Sequence, residues 1–294
     1  MVIANDFEYY VPETPGEAYE LMERLGGKAR ILAGGTDLIV LMKDKLVKPE
    51  NLVDIKNIKE FHGIHNEPGN GMSIGATTKI SEIEFSKEVQ EKYPALAYAA
   101  SRLGSTQVRA MGTVGGNSCN ASPAGETPPP LIAYGAKVVL GSVKGEREMP
   151  LEDFIQGVRR IDLNENEILT KFVLPEPAPH SACRFADMGA RDAAEIDCVN
   201  MAVNIELEND KQTIKNVKAV LGSVFVKPLV SEKIPALLNG QKLSDELIEK
   251  AAEAAQSEAV PISDVRASAW YRNEIVGVLT RRLLKEAYAA AQEV

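Results

Sequence analysis

Residues Gly112 to Glu126 read GTVGGNSCNASPAGE, with four glycines, two serines and two asparagines and almost nothing that could fill a core. Such a run is a poor helix and a poor strand. It suits a backbone that must come close to something and present N–H groups to it. Any fold for this chain has to place that backbone against a ligand or a tight turn.

A second stretch asks for the same explanation. Arg30-Ile31-Leu32-Ala33 reads as a short apolar strand that runs into Gly34-Gly35-Thr36-Asp37, and a further apolar segment, Leu38 to Met42, leaves the turn. Val108 to Met111 is expected to deliver the later stretch in the same way, as an apolar strand. Paired glycines let successive N–H groups point into one concavity, and a threonine hydroxyl adds a donor; such a nest holds phosphate oxygens without a lysine. Each loop alone reads as a tight turn. Together, about 80 residues apart, they read as a clamp on the two phosphates of one pyrophosphate. There is no GxGxxG and no GxxxxGK[ST], so neither a dinucleotide-binding Rossmann unit nor a P-loop is present.

The elements around the loops follow from local chemistry. Thr14-Pro15-Gly16-Glu17 is a capping-box helix start, and Gly26-Gly27 is its stop. Short strands are expected at Leu52 to Ile55, Met72 to Ala76, Lys137 to Leu140 and Glu167 to Leu174, with helices at Lys79 to Phe85 and Pro94 to Leu103. Pro175-Glu176-Pro177-Ala178-Pro179 is a stiff connector, where we expect a domain boundary. Beyond it, Ala182 to Met188, Cys198 to Leu207 and Thr213 to Gly222 read as strands. Val199, Met201, Val203 and Ile205 share one face by alternation. Helices from Ser244 to Ala255 and from about Ala267 to Gln292 close the chain. Strands followed by helices indicate an α+β second domain.

Composition narrows the function. The chain has 294 residues, enough for two domains, and a net charge of −9, which argues against nucleic acid or anionic lipid as partners. No apolar run reaches the roughly 18 residues of a membrane span. The start, MVIANDFEYY, lacks a signal-peptide pattern, so the cytoplasm is expected. Cys119, Cys183 and Cys198 have no spacing for a disulfide framework, zinc or an iron–sulfur cluster. His62, His65 and His180 lie outside both glycine stretches and read as solvated loop residues, and there is no GxSxG elbow.

At this point the sequence resembles a known family, the FAD-binding (medium) subunits of the molybdenum hydroxylases, the xanthine dehydrogenase and carbon monoxide dehydrogenase group. The family motif AGG(T/H)xL is matched by Ala33 to Leu38, and GTxGGNxxxxSPxxDxxP, with its upstream arginine, from Arg109 through Pro129. Ile74-Gly75-Ala76-Thr77-Thr78 resembles IGAxT, Val53-Asp54-Ile55 resembles VDI, and Phe185 through Arg191 to Val203 is similar to the start of the family's C-terminal domain. The resemblance spans essentially the whole chain.

That resemblance implies an α+β protein. A two-part FAD-binding domain of the vanillyl-alcohol oxidase-like (PCMH) type would cover residues 1–176, with subdomains of about 1–57 and 58–176. An α+β domain with an antiparallel sheet would cover 177–294. It implies FAD as cofactor, held by Leu32, Ala33, Gly34, Gly35, Thr36, Asp37, Leu38, Thr77, Thr113, Val114, Gly115 and Gly116, with Asn117 and Ser122 along the ribityl and isoalloxazine side. Glu126 stands where the family has an aspartate that binds a sugar or ribityl hydroxyl, one methylene further out. Arg191 is placed near the flavin or an electron acceptor, the other reading being a surface arginine paired with Asp192 or Glu195. The implied partners are a small [2Fe–2S] subunit and a large molybdopterin subunit, in a hetero-oligomer such as a dimer of heterotrimers. Electrons would pass from the clusters through the flavin to an external acceptor. The cysteine-rich insertion of the 4-hydroxybenzoyl-CoA reductase branch is missing. Two other readings are a free-standing flavin-dependent oxidoreductase of the same superfamily and a non-catalytic phosphate- or nucleotide-binding module. The first would need an acid, base or covalent histidine near the flavin, and no histidine lies near either loop.

Overall fold

In the computed structural model, which describes residues 6–67, 69–191 and 194–294, three larger sheets follow one another along the chain, with a two-stranded sheet inserted in the second. The first is parallel and three-stranded. Strands β1 (Glu8–Tyr10), β2 (Ala29–Leu32) and β3 (Asn51–Asp54) take the order β1-β3-β2. Helix α1 (Pro15–Leu25) crosses from β1 to β2. Thr14 caps it as expected, its Oγ1 accepting from Glu17 N at 3.3 Å, and Gly26 at φ +52° ends it; the Glu17 carboxylate reaches back past the cap to Glu13 N at 2.8 Å rather than to Thr14 N, so the expected capping box is only half made. The apolar segment after Asp37 is helix α2 (Leu38–Lys43). A parallel pair needs such crossovers, which gives this part its α/β character within the mixed fold.

The second sheet is antiparallel. It is built from β4 (Ile64–Glu67), β5 (Gly71–Gly75), β6 (Lys137–Ser142), β7 (Gly145–Pro150) and, after the hairpin β8 (Ile155–Gly157) and β9 (Arg160–Ile161), β10 (Ile168–Leu174), in the order β4-β5-β10-β6-β7. Between β5 and β6 lie helices α3 (Ile80–Phe85), α4 (Lys87–Lys92), α5 (Pro94–Arg102), α6 (Thr106–Met111), α7 (Val114–Asn120) and α8 (Pro128–Ala133), and α9 (Leu151–Phe154) follows β7. Ile168 of β10 packs in the core of the first sheet with Val53, Ile55 and Phe61, so the two parts share a wall.

Two expectations fail here. Val108 to Met111 is not a strand but part of α6, opened by Ser105, whose Oγ accepts from Val108 N at 3.2 Å. The glycine-rich run is not irregular either, since Val114–Asn120 is helical. Helix propensity is a weak prior that a good cap and tertiary packing override.

The third sheet, β11 (Ser181–Met188), β12 (Val199–Leu207), β13 (Ile214–Gly222) and β14 (Leu229–Val230), is antiparallel in that order. The alternation in β12 holds. Val199, Met201, Val203 and Ile205 pack with helices α10 (Lys233–Leu238), α11 (Asp245–Glu258) and α12 (Ala269–Glu293). The opposite face is buried as well. Phe185, Ala202 and Val220 join the core that contains α5 and α8, and Asn204 Nδ2 donates to Ala133 O at 3.2 Å. The third sheet is therefore a middle layer between its own helices and the flank of the second sheet's helices. The proline connector is pinned to that flank by Tyr93, whose hydroxyl donates to Pro175 O at 2.9 Å, and by the Lys92–Glu176 ion pair at 2.8 Å.

Candidate cofactor site

The two glycine loops meet. A Cβ on Gly34 would overlap Met111 O and stand 2.8 Å from Gly112 Cα, so only glycine lets the loops touch here. Between them and the second sheet lies a cavity of about 640 Å³, within the range of cofactor sites. Of the residues expected at the site, Ala33 to Leu38, Thr113, Gly115, Gly116 and Asn117 line it.

Hydrogen bonding separates the two loops sharply. From Ala33 to Leu38 no backbone N–H has an acceptor among the described residues, while Gly35 sits at φ +74° and its carbonyl accepts from Ile39 N. Free donors of this kind are what a phosphate-binding nest requires. At the second loop the donors are taken. Val114 N donates to Thr78 O (3.0 Å), Gly115 N to Ala76 O (2.9 Å), Gly116 N to Thr113 Oγ1 (3.1 Å) and Asn117 N to Thr113 O (2.9 Å). The expectation of a second nest is thus corrected. Gly115 is glycine because a Cβ would lie 2.6 Å from Ala76 O and 2.7 Å from Ala76 Cβ, and Gly116 because its Cβ would crowd the capping Thr113 Oγ1.

Several expected residues stand off the cavity. Leu32 is buried, with its side chain under Gly35. Val114 is core. Thr77 is buried, and both its N–H and its hydroxyl donate to Phe61 O at 2.8 Å, which leaves Ala76 as the cavity wall. Ser122 Oγ accepts from Ala124 N at 3.3 Å in the turn after α7. Glu126 is buried just beyond the cavity end, next to Thr127, whose hydroxyl donates to Asn117 Oδ1 at 2.6 Å. Arg191 is an exposed arginine on Glu195 at 3.2 Å; Asp192 lies outside the described residues.

Another wall was missed entirely. Arg159, Ile161, Leu163, Asn164, Glu165 and Glu167 also line the cavity, and Arg159 N donates to Ala121 O at 3.1 Å, at the end of the second loop. Arg147 fixes this segment, binding Glu167 through Nε (2.8 Å) and Nη2 (2.9 Å) and Asp162 through Nη2 (3.1 Å). The Arg147 hydrogen bonds hold the Glu167 carboxyl down at about 2. Glu165 reaches across to accept from Gly27 N at 3.1 Å.

A family model described as the FAD binding domain in molybdopterin dehydrogenase matches residues 5–177. The chain belongs to that family. A second model, the CO dehydrogenase flavoprotein C-terminal domain, matches residues 185–287. The glyceraldehyde dehydrogenase medium chain of Sulfolobus acidocaldarius is 33% identical, covering 96% of this chain and 98% of the relative. The carbon monoxide dehydrogenase medium chain of Hydrogenophaga pseudoflava is 31% identical over 98% of this chain and 99% of its own length. The solved carbon monoxide dehydrogenase from that organism, in a form lacking the Mo-pyranopterin moiety, superimposes with a TM-score of 0.93 at 31% identity, covering 98% and 99% of the two chains. This chain is accordingly a flavoprotein subunit of the oxidoreductase class.

The residues present fit FAD. A dianionic pyrophosphate needs donors that nothing else uses, and the Ala33–Leu38 backbone offers them. Among the described residues no helix is long and apolar enough to cross a membrane.

Proposed function

We propose that this chain carries the flavin through which a molybdenum hydroxylase complex hands substrate electrons to an external acceptor. The observation that carries the reading is the run of N–H groups from Ala33 to Leu38 along the cavity that have no acceptor among the described residues, in a chain whose family binds FAD. Bound FAD would supply the redox chemistry, by one or two electrons. The protein's own part is to hold the cofactor. The first loop takes the pyrophosphate; Thr113, Gly115, Gly116 and Asn117 form the wall along which the ribityl chain and ring would extend, with Ser122 and Glu126 beyond the cavity end.

The partners we infer are a small [2Fe–2S] subunit and a large molybdopterin subunit, in a hetero-oligomer such as a dimer of heterotrimers in the cytoplasm. The named relatives are medium chains of dehydrogenases for different substrates, glyceraldehyde and carbon monoxide, at 33% and 31% identity. Near-equal likeness to both agrees with a substrate met on another chain. The test is anaerobic reduction by the complex's own substrate. Flavin absorbance should bleach when all three subunits are present and stay unchanged with this chain alone. Full turnover by this chain alone would contradict the reading.

A further inference from the structure

Beyond the cavity, acidic side chains gather where the 122–126 turn meets the third sheet. Glu126 is 7% exposed and Asp197 4%. The register places Asp187, Asn200 and Gly222 side by side across β11, β12 and β13. Ser223 N donates to Pro123 O at 2.7 Å and Ser223 Oγ to Asp197 O at 3.0 Å. Asn200 Nδ2 donates to Asp197 Oδ2 at 3.0 Å and lies 3.5 Å from Ala124 O. One network thus fixes the turn that carries Glu126 and the strand entrance that carries Asp197.

The nearby cations are committed elsewhere. Arg102 grips Asp187 through Nε (3.0 and 3.1 Å) and Nη2 (3.0 Å) and pulls only weakly on Asp197. Buried Arg272 binds Cys198 O, Ser223 O and Asp264. Arg191 is on Glu195, and Asp37 accepts from Asn120 at 3.1 Å. Among the described residues no side-chain donor reaches Glu126, which meets its own N–H and feels the charges of Asp197, Asp187 and Asp37. The acids do not converge as a metal site among the described residues. Asn200 Oδ1, in the same cluster, is a buried acceptor without a donor. Buried carboxyls without a cation take up protons rather than stay charged.

We propose that Glu126 and Asp197 form a coupled pair of buried carboxyls that takes up a proton and tunes the potential of a flavin bound in the cavity. The second half rests on the flavin reading above. Burial, and then the Asp197 charge, push Glu126 up to about 8; burial pushes Asp197 up to about 7, against the pull of Asn200. The two lose their protons as a coupled pair, Asp197 leading. Electrons added to a flavin bound in the cavity would raise the proton affinity of the pair, which would then take one proton from solvent. Their departure to the acceptor returns that proton to solvent.

Two measurements on the full chain test this. Infrared titration of the flavin-free protein should show two carboxyl ionisations between about pH 6 and 9. In Asp197→Asn only Glu126 remains, and it should titrate at lower pH than in the wild type. In Glu126→Gln one ionisation should also be lost, and Glu126→Asp should restore it. An unmoved Glu126 in Asp197→Asn, or no carboxyl titrating above pH 6, overturns the pair. With FAD bound, the midpoint potential should depend on pH less steeply in Asp197→Asn and Glu126→Gln than in the wild type. Equal slopes overturn the coupling to flavin. Failure of the flavin reading is distinct: FAD does not bind, while the infrared titration still decides the pair.

Discussion

Gly34 and Gly112 touch through their backbones, with the site of a Gly34 Cβ only 2.8 Å from Gly112 Cα and in collision with the neighbouring Met111 carbonyl. The nest and the capped helix behind it form one unit because of this contact. Gly34→Ala should force the loops apart and release FAD. Overpacking against backbone costs about 1–3 kcal/mol. Flavin content by absorbance and Tm should both fall. Gly16→Ala is the control, since nothing lies within 4 Å of its Cβ, and it should keep full flavin and lose no stability.

Gly115→Val should also lose flavin, by a different route. Its N–H already serves Ala76 O, and a side chain would strike Ala76 and Leu169 Cδ2, the latter 3.0 Å from the Cβ position. The damage is to packing. The Tm loss should therefore persist in flavin-free protein, where a residue that only bound phosphate would leave Tm unchanged.

Thr113→Val should remove the cap of α7, since Thr113 Oγ1 accepts from Gly116 N. Loss of such a cap costs roughly 0.5–2 kcal/mol. Chemical denaturation should show a lower midpoint with an unchanged slope.

The wall held by Arg147 predicts a pH dependence with a definite sign. The Glu167 carboxyl is held at about 2 in the folded chain, against a usual 4.5. Its folded state binds fewer protons than its unfolded state across that interval. The stabilisation is present above pH 4.5 and is lost as pH falls toward 2. Glu167→Gln should make Tm fall less steeply with acid over that window, which thermal melts at several pH values would show.

The first loop was legible because its chemistry is local. Gly34-Gly35-Thr36 after a short strand leaves few uses for so many free N–H groups. The second loop was legible as a place but not as a shape. Paired glycines disfavour a helix, and only Thr113 as cap and Ala76 as a close neighbour, 39 residues earlier than Gly115, make one. Thr77 lay in the right motif, yet Phe61 O takes its hydroxyl. The 159–167 wall gave no signal, because Arg159, Asn164 and Glu165 look like a solvated turn until Arg147 anchors them. Asp197 was equally silent; its burial depends on a sheet packed on both faces.

The cavity between the two loops is expected to bind FAD through the Ala33–Leu38 backbone. The most direct measurement is FAD bound per purified chain, from absorbance before and after adding excess FAD, for the wild type and Gly34→Ala. One FAD per wild-type chain and a marked loss in Gly34→Ala is the predicted result. A wild-type chain that is colourless and stays so with FAD added, or a Gly34→Ala variant with full occupancy, would contradict it.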